Sequence, residues 1–189
     1  MNARGGDGAV LIMRIHETKL AGVFEVQIER HFDERGSFAR CWCAQEFEAR
    51  GLLSKVVQCN ISGNPRKGTL RGVHYQRPPF GETKVVRCTA GAIYDVALDL
   101  RKGSSTFGQW FGTILSAKNK LSIYVPEGCA HGFLTLEDET EVFYQMSEFY
   151  SPDAAQGVRW NDPAFQIRWP EKVEIISERD RTYPDFESS

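Results

Sequence analysis

From about residue 22 onward, apolar and polar residues alternate in short runs such as "GVFEVQI", "KVVRC", "KLSIYVP" and "TEVFYQMSEFY". Glycine, proline or asparagine separate the runs. Successive side chains of a β-strand point to opposite faces, so this alternation indicates many short strands. Short strands at close spacing are typical of sandwiches and barrels. The pattern therefore predicts an all-β fold of one of these two kinds.

The run "AIYDVALDL" shows the alternation most clearly. It predicts a strand with one packed face and one polar face. The packed face would carry Tyr94, Val96, Leu98 and Leu100, and the polar face Asp95, Ala97 and Asp99.

One early helix is predicted over "AQEFEARGLL", residues 44–53, ending at Gly51. Residues 1–10 are expected to form a flexible tail. The charged segment 178–189 is expected to pack back onto the body of the protein. Because no linker or repeat interrupts the pattern, residues 1–189 are interpreted as a single domain.

Composition limits the classes of partner. Of the 189 residues, 41% are hydrophobic and 12% aromatic, which is enough to form one core. The net charge is -2 and no basic run is present, so a nucleic-acid partner is not expected. We find no apolar segment of about 18 residues and no apolar leader, which favours a cytoplasmic protein without a membrane partner.

The five cysteines have irregular spacings and no CxxC pair. We interpret Cys41, Cys43, Cys59, Cys88 and Cys129 as reduced, buried thiols.

Two of the four histidines are candidates for chemistry. His74 in "RGVHYQRPP" and His131 in "VPEGCAHGF" each follow glycine or proline, where the backbone can turn a side chain toward a barrel mouth. A core histidine remains the alternative for both. A metal site is disfavoured, because neither histidine has another histidine two residues away on its strand face.

Tyrosines and cations add further candidates. Alternation places Tyr144 and Tyr150 on one strand face, which suits proton donation or aromatic stacking, although packing is the commoner role. Strict alternation places Arg71 opposite His74. The two reach one pocket only if Gly72 carries a bulge or Arg71 serves a neighbouring subunit. Cations suited to a diphosphate are Arg35, Arg71, Lys84, Arg87 and Arg179.

The ordered segments "FDERGSF", "QCNIS", "KGTLRGVHYQ", "ETKVVRC", "VPEGCAHGF", "FYQMSEFYSP" and "ISERD" together resemble the dTDP-4-dehydrorhamnose 3,5-epimerase family. The resemblance extends from about residue 19 to residue 186. It implies a cupin-type β-sandwich or jelly-roll barrel with a few short helices, assembled as a homodimer. It also implies an epimerase that needs no cofactor and acts on a nucleotide-linked 4-keto-6-deoxy sugar.

The same resemblance assigns roles to individual residues. His74 corresponds to the base, Asp180 to the carboxylate that orients it, and Tyr144 to the acid. Lys84 corresponds to the lysine near the sugar keto oxygen. The resemblance assigns substrate binding to Arg35, Gln58, Asn60, Arg71, His131, Tyr150 and Arg179.

Two positions depart from the common family pattern. Arg40 and Ala155 stand where many members carry a glutamate. Both positions concern recognition, so the nucleotide and the sugar stay open. Three alternative functions are a non-catalytic sugar-nucleotide-binding cupin, a metal-dependent cupin, and a single-centre epimerase or ketoisomerase acting on another nucleotide sugar.

Overall fold

The computed structural model describes residues 12–187. The predicted tail at residues 1–10 lies outside this range. In sequence order, the elements are β1 (Met13–Glu17), β2 (Phe24–Ile28), β3 (Arg30–Asp33), β4 (Gly36–Ala39), α1 (Ala44–Glu48), β5 (Gln58–Asn64), β6 (Thr69–Gln76), β7 (Lys84–Ala90), β8 (Ala92–Asp99), β9 (Trp110–Ser116), β10 (Leu121–Val125), β11 (Cys129–Thr135), β12 (Thr140–Met146), β13 (Ala155–Gly157), β14 (Ile175–Ile176) and α2 (Glu178–Arg181).

The strands form two large sheets and one hairpin. The first sheet has the order β1-β2-β10-β7-β12-β5, and the second has the order β13-β6-β11-β8-β9. β14 adds to β6 in parallel, whereas the other pairings are antiparallel. β3 and β4 pair only with each other. The predicted all-β sandwich is confirmed.

The core lies between the two sheets. Val86 and Val142 of the first sheet pack in one cluster with Ile93, Leu115 and Phe133 of the second. All five are nearly inaccessible to solvent. Burying such a side chain stabilises the folded state by about 1.5–3 kcal/mol, so this cluster holds the sheets together.

The outer face of the first sheet is covered by the predicted helix. Phe47 of α1 packs against Val26, Val85 and Tyr124. The helix ends at Glu48, earlier than expected, and the chain then turns through Gly51, whose φ is +70°.

No helix within residues 12–187 is long and apolar enough to cross a membrane.

The predicted polar face of β8 is wrong, because both faces of this strand are buried. Val96 and Leu98 point outward and pack against Phe165, which belongs to the segment that returns over the second sheet. Asp95 and Asp99 point the other way and are fully buried. Phe186 packs against the same cluster, so the expectation that segment 178–189 packs back onto the body is confirmed for its described residues, 178–187.

The cysteines agree only in part with the prediction. All five thiols are free. Cys88 and Cys129 are buried, and burial raises the pKa of Cys88 to about 11 and that of Cys129 to about 12. Cys41 and Cys59 are exposed, so the expectation that they are buried is wrong.

A bulge at Gly72 interrupts the pairing of β6 with β11. His74 lies opposite His131, but Arg71 lies opposite Phe133, so β6 has one extra residue between them. Gly72 has a φ of +120°, and a Cβ there would lie 2.6 Å from the Cα of Gly132. Of the two arrangements considered for Arg71 and His74, the bulge is the one observed.

Replacing Gly72 with alanine should therefore destabilise the fold. The left-handed φ and the contact with Gly132 together should lower the free energy of unfolding by about 2–5 kcal/mol. Urea denaturation measures the change. Gly103→Ala is the matched control, because nothing lies within 4 Å of a Cβ at that position. Equal stability of the two variants would contradict the steric account of the bulge.

Candidate active site

Two adjoining cavities, of about 570 and 510 Å³, lie between the sheets. Both are lined by His74, Lys84, Tyr144 and Arg179, so they form one continuous site with two lobes. Their volumes are in the range of small-molecule sites, about 300–1,000 Å³. The first lobe adds Arg71, His131 and Asp180, and the second adds Gln58, Asn60 and Tyr150.

His74 of β6 is paired with Asp180 of α2. Nε2 of His74 and Oδ1 of Asp180 are 2.6 Å apart, and the other oxygen of Asp180 accepts the backbone N–H of Gly72 at 3.1 Å. Ser177 caps the helix by accepting the N–H of Asp180. β14 pairs with β6 just before this turn, which brings the carboxylate to the histidine.

Asp180 is held as a carboxylate. Burial raises its pKa, but hydrogen bonds and charge from His74, together with the bonds from Gly72 and Ser177, outweigh burial and leave the pKa below the ordinary value. A carboxylate on Nε2 fixes the proton there, so the free lone pair is on Nδ1. His74 thus has a ring nitrogen that Asp180 leaves free.

A second histidine–aspartate pair lies on the neighbouring strands. Nε2 of His131 is 2.8 Å from Oδ2 of Asp95, and both residues are buried. Asp95 is one of the residues that had been assigned to a solvent-facing polar face. It instead orients His131 beside His74, since these two histidines are register partners.

Lys84 and Tyr144 face these histidines from the first sheet. Nζ of Lys84 is 2.8 Å from Oε1 of Glu82, and both side chains are buried. Burial raises the pKa of Tyr144, with Glu82 adding to the rise and Arg71 opposing it. Tyr144 is therefore protonated at neutral pH and can donate a proton.

Two arginines supply positive charge to the site. Nε of Arg71 donates to Oδ1 of Asn64 at 2.8 Å, which fixes the guanidinium beside β5. Arg179 lies over the ring of Tyr183, 5.8 Å from its centroid. A hydrogen bond to Tyr150 raises the pKa of Arg179 above its ordinary value. The site thus has two oriented guanidinium groups.

The second lobe is lined by amide and phenol groups. Nε2 of Gln58 donates to Oδ1 of Asn60 at 3.4 Å, and Oε1 of Gln58 accepts the backbone N–H of Tyr150 at 3.3 Å. Asn60 and Tyr144 are register partners on β5 and β12. These contacts join the second lobe to Tyr144.

Of the predicted site residues and candidate cations, Arg35 and Arg87 are the two that line neither cavity. Arg87 donates to the carbonyl of Cys41 at 2.6 Å, outside the site. Arg35 lies at the turn of the β3–β4 hairpin, pairs with Asp33, and has 80% of its side chain exposed.

Arg40 also lies outside both linings, and its Nη1 is 2.8 Å from Oε1 of Glu46 on α1. Ala155 does line the second lobe, and its carbonyl accepts from Arg179 at 3.4 Å.

Comparison with known proteins identifies the family. The family profile described as dTDP-4-dehydrorhamnose 3,5-epimerase matches residues 17–188. A protein of that name from Methanothermobacter thermautotrophicus is 45% identical over 174 residues, which are 90% of this chain and 92% of that protein. This chain belongs to the dTDP-4-dehydrorhamnose 3,5-epimerase family.

Solved structures of family members have the same fold. The dTDP-4-dehydrorhamnose 3,5-epimerase from Bacillus anthracis, with TDP and PPi bound, is 41% identical and has a TM-score of 0.89, covering 93% of this chain and all of that chain. The epimerase from Legionella pneumophila, in complex with dTDP-4-keto-L-rhamnose, is 37% identical with a TM-score of 0.83, covering 89% and 90% of the two chains. This chain is therefore a member of an isomerase family with the predicted cupin-type fold.

Three polar residues of the epimerase site were not selected from the sequence: Glu82, Asp95 and Asn64. Glu82 stands two residues before Lys84, and Asp95 follows the alternation of β8, but neither pattern indicates a partner.

In the described part of the chain, no group of three or more His, Cys, Asp or Glu side chains is arranged to hold a metal ion.

Asp180→Asn should keep the fold of this epimerase but lower turnover by about 100-fold, because the charge that stabilises a protonated His74 is lost. The folding stability of the Asp180→Asn variant should also depend less on acid pH than that of the wild type. The pKa of Asp180 is lower in the folded state than in the unfolded state. The stabilisation that its carboxylate gives to the fold is therefore complete above the unfolded pKa of about 4, and it is lost as the pH falls through the folded pKa. Turnover assays and thermal unfolding between pH 3 and 7 measure both effects.

Wild-type turnover in Asp180→Asn would contradict this role. An acid response identical to that of the wild type would show that the pKa of Asp180 is not lowered by folding.

Proposed function

We propose that this protein inverts C3 and C5 of a nucleotide-linked 4-keto-6-deoxyhexose, converting dTDP-4-dehydro-6-deoxy-D-glucose to dTDP-4-dehydro-L-rhamnose. The observation that carries the proposal is His74 of one sheet, bonded to Asp180 of α2, on the same cavity as Tyr144 of the other sheet. An inversion needs a base on one side of the carbon and an acid on the opposite side. The two sheets supply these two positions.

The first step removes a proton next to the C4 ketone. The C–H bond at C3 or C5 breaks, the proton goes to Nδ1 of His74, and the electron pair moves through the new C3–C4 or C4–C5 double bond to the C4 oxygen. Asp180 stabilises the imidazolium that forms, because its carboxylate is 2.6 Å from Nε2. An imidazole is a suitable base near neutral pH.

The enolate needs stabilisation at its oxygen. Lys84 and His131 line the same lobe as His74. Lys84 carries N–H donors that suit this oxygen, whereas Nε2 of His131 is already bonded to Asp95. Losing one such preorganised donor typically costs a factor of about 100–1,000 in turnover. We assign this role to Lys84 first, because a buried ammonium carries a full positive charge.

The second step returns a proton from the opposite face. The hydroxyl of Tyr144 gives its proton to the carbon, and the enolate collapses to the ketone. Solvent then returns a proton to the phenolate and removes the proton from the His74 imidazolium, which restores both groups. Support comes from the raised pKa of Tyr144, which keeps the phenol protonated until the enolate forms. Because His74 and Tyr144 act from different sheets, the configuration at the carbon is inverted.

Binding of the nucleotide diphosphate is assigned to the remaining residues of the site. Arg71 and Arg179 offer guanidinium groups that match phosphate oxygens. Gln58, Asn60 and Tyr150 offer amide and aromatic contacts to the nucleoside in the second lobe. The glutamate common at position 155 is absent here, which leaves the nucleotide to be tested with dTDP, CDP, GDP and UDP sugars.

A homodimer accounts for the position of Arg35. On the β3–β4 hairpin, Phe32 and Phe38 are 69% and 63% exposed, which is unusual for phenylalanines on a free surface. We assign this hairpin to contact with a second copy of the chain, where Arg35 would reach the phosphates of the partner's substrate. The five free thiols suit the reducing cytoplasm, where we place the enzyme.

Deuterium exchange separates the proposed base from the proposed acid. In deuterium oxide, the wild-type protein should incorporate solvent deuterium at C3 and C5. His74→Ala should abolish exchange at both carbons, because no base remains. Tyr144→Phe removes one hydroxyl, so exchange from the His74 side should persist while inversion slows by about 100-fold or more. NMR of the sugar measures both quantities.

Normal exchange in His74→Ala, or inversion of both centres by Tyr144→Phe at the wild-type rate, would refute these assignments. Binding without exchange in the wild-type protein would favour a non-catalytic sugar-nucleotide-binding cupin. Exchange at one carbon alone would identify a single-centre epimerase.

Turnover should be independent of added metal. Nε2 of His74 and of His131 each bonds to its own aspartate, and the proton transfers need only the side chains named above. Dialysis against a strong chelator should leave turnover within about twofold of the untreated enzyme. Loss of turnover that one divalent ion restores would overturn the expectation and support the metal-dependent rival.

A further inference from the structure

We infer that Glu82 is a positioning residue for the reaction, holding Lys84 at the place where the C4 oxygen of the sugar binds. The inference rests on the role proposed above for Lys84. It adds a carboxylate that neither the motifs nor the other contacts of the site had assigned.

The contact itself is short and shielded. Oε1 of Glu82 is 2.8 Å from Nζ of Lys84, and the two side chains are only 6% and 10% exposed. In such surroundings the attraction between opposite charges is screened much less than at the surface. Lysine otherwise has four rotatable bonds, so an isolated ammonium would sample several positions. The carboxylate of Glu82 restricts the ammonium of Lys84 to one of these positions.

The carboxylate is itself fixed through Gln76. Nε2 of Gln76 lies 3.3 Å from the second oxygen of Glu82 and also bonds the carbonyls of Phe80 and Phe149. Oε1 of Gln76 accepts the backbone N–H of Ser151 at 2.6 Å. Through Gln76, Glu82 is therefore linked to the segment that carries Tyr150, which lines the same lobe.

The backbone around Glu82 is anchored as well. The N–H of Thr83 donates to Oγ of Ser147 at 2.8 Å, and the N–H of Ser147 donates to the carbonyl of Thr83 at 3.0 Å. These bonds attach the link between β6 and β7 to the end of β12. Glu82 thus approaches Lys84 from a rigid frame, which is what a positioning role requires.

The Glu82–Lys84 pair lies in the candidate site, not in a part of the core where it could serve only folding stability. Glu82 lines the second lobe together with His74, Lys84 and Tyr144. A buried ion pair contributes little net stability, because desolvating both charges offsets their attraction. An ammonium has three N–H donors, so one bond to Glu82 leaves two for the substrate. A functional reason for the pair is therefore favoured over a structural one.

A double-mutant cycle tests the inference. The variants are Glu82→Gln, Lys84→Ala and the double variant, each checked for folding by thermal unfolding. Glu82→Gln should lower kcat about 10- to 100-fold with KM changed less than about threefold, as expected for loss of a supporting contact. In the Lys84→Ala background, the same change should have less than about a twofold effect, because Glu82 acts through Lys84.

The control is Glu171→Gln, which removes an ion pair of the same length, 2.8 Å to Nζ of Lys67, but at the surface. Its kcat should be unchanged. If Glu82→Gln does not fold, Glu82→Asp replaces it in the cycle, since the shorter side chain keeps the charge but withdraws the acceptor from Lys84.

The outcomes separate the two proposals. Wild-type turnover in Lys84→Ala would refute the role of Lys84 and, with it, that of Glu82. A large loss in Lys84→Ala combined with multiplicative losses in the double variant would refute the inference for Glu82 alone. An unchanged kcat in Glu82→Gln, or an equal loss in Glu171→Gln, would do the same.

Discussion

The site depends on the close approach of β6 and β11 at Gly72. One extra residue in β6 reverses the side-chain alternation, so Arg71 and His74 both line the cavity while Val73 packs outward against the returning C-terminal segment. Only glycine meets the two requirements at this point, a φ of +120° and a backbone within van der Waals contact of Gly132. Without the bulge, the base and an arginine would lie on opposite faces of the second sheet.

The site is built from three nitrogen–carboxylate pairs that line or adjoin the cavity. His74 with Asp180, His131 with Asp95, and Lys84 with Glu82 each join a nitrogen that can act on the substrate to a carboxylate that fixes it. A buried carboxylate without a partner is costly, so each pair also provides the hydrogen bond that its carboxylate needs. The same pairing orients the groups before substrate arrives, which is how electrostatic stabilisation of an enolate becomes effective.

The sequence was sufficient for the fold class and for most of the site. Alternation predicted the strands, and the ordered motifs selected His74, Tyr144 and Asp180, which the fold brings together. It was insufficient where a residue depends on a partner distant in sequence. Asp95 alternates with apolar residues as a surface aspartate would, and only the packing of the opposing sheet on that face and the bond to His131 reveal that it is buried. Arg35 belongs to a matching motif, yet it lies on a hairpin outside its own cavity.

What the sequence by itself determined is local. It predicted the period of two in the strands, a helix starting at residue 44, and a glycine at position 72 where a bulge is possible. It also supplied the chemical types available for a base, an acid and phosphate-binding cations. Tertiary structure decided which of these groups meet. His74 and Asp180 are 106 residues apart, and His131 and Asp95 are 36 apart. The short spatial distances within these two pairs follow from strand register and from the return of the chain over the second sheet. Both are set by burial of the whole core, to which every strand contributes, and no local pattern contains that information.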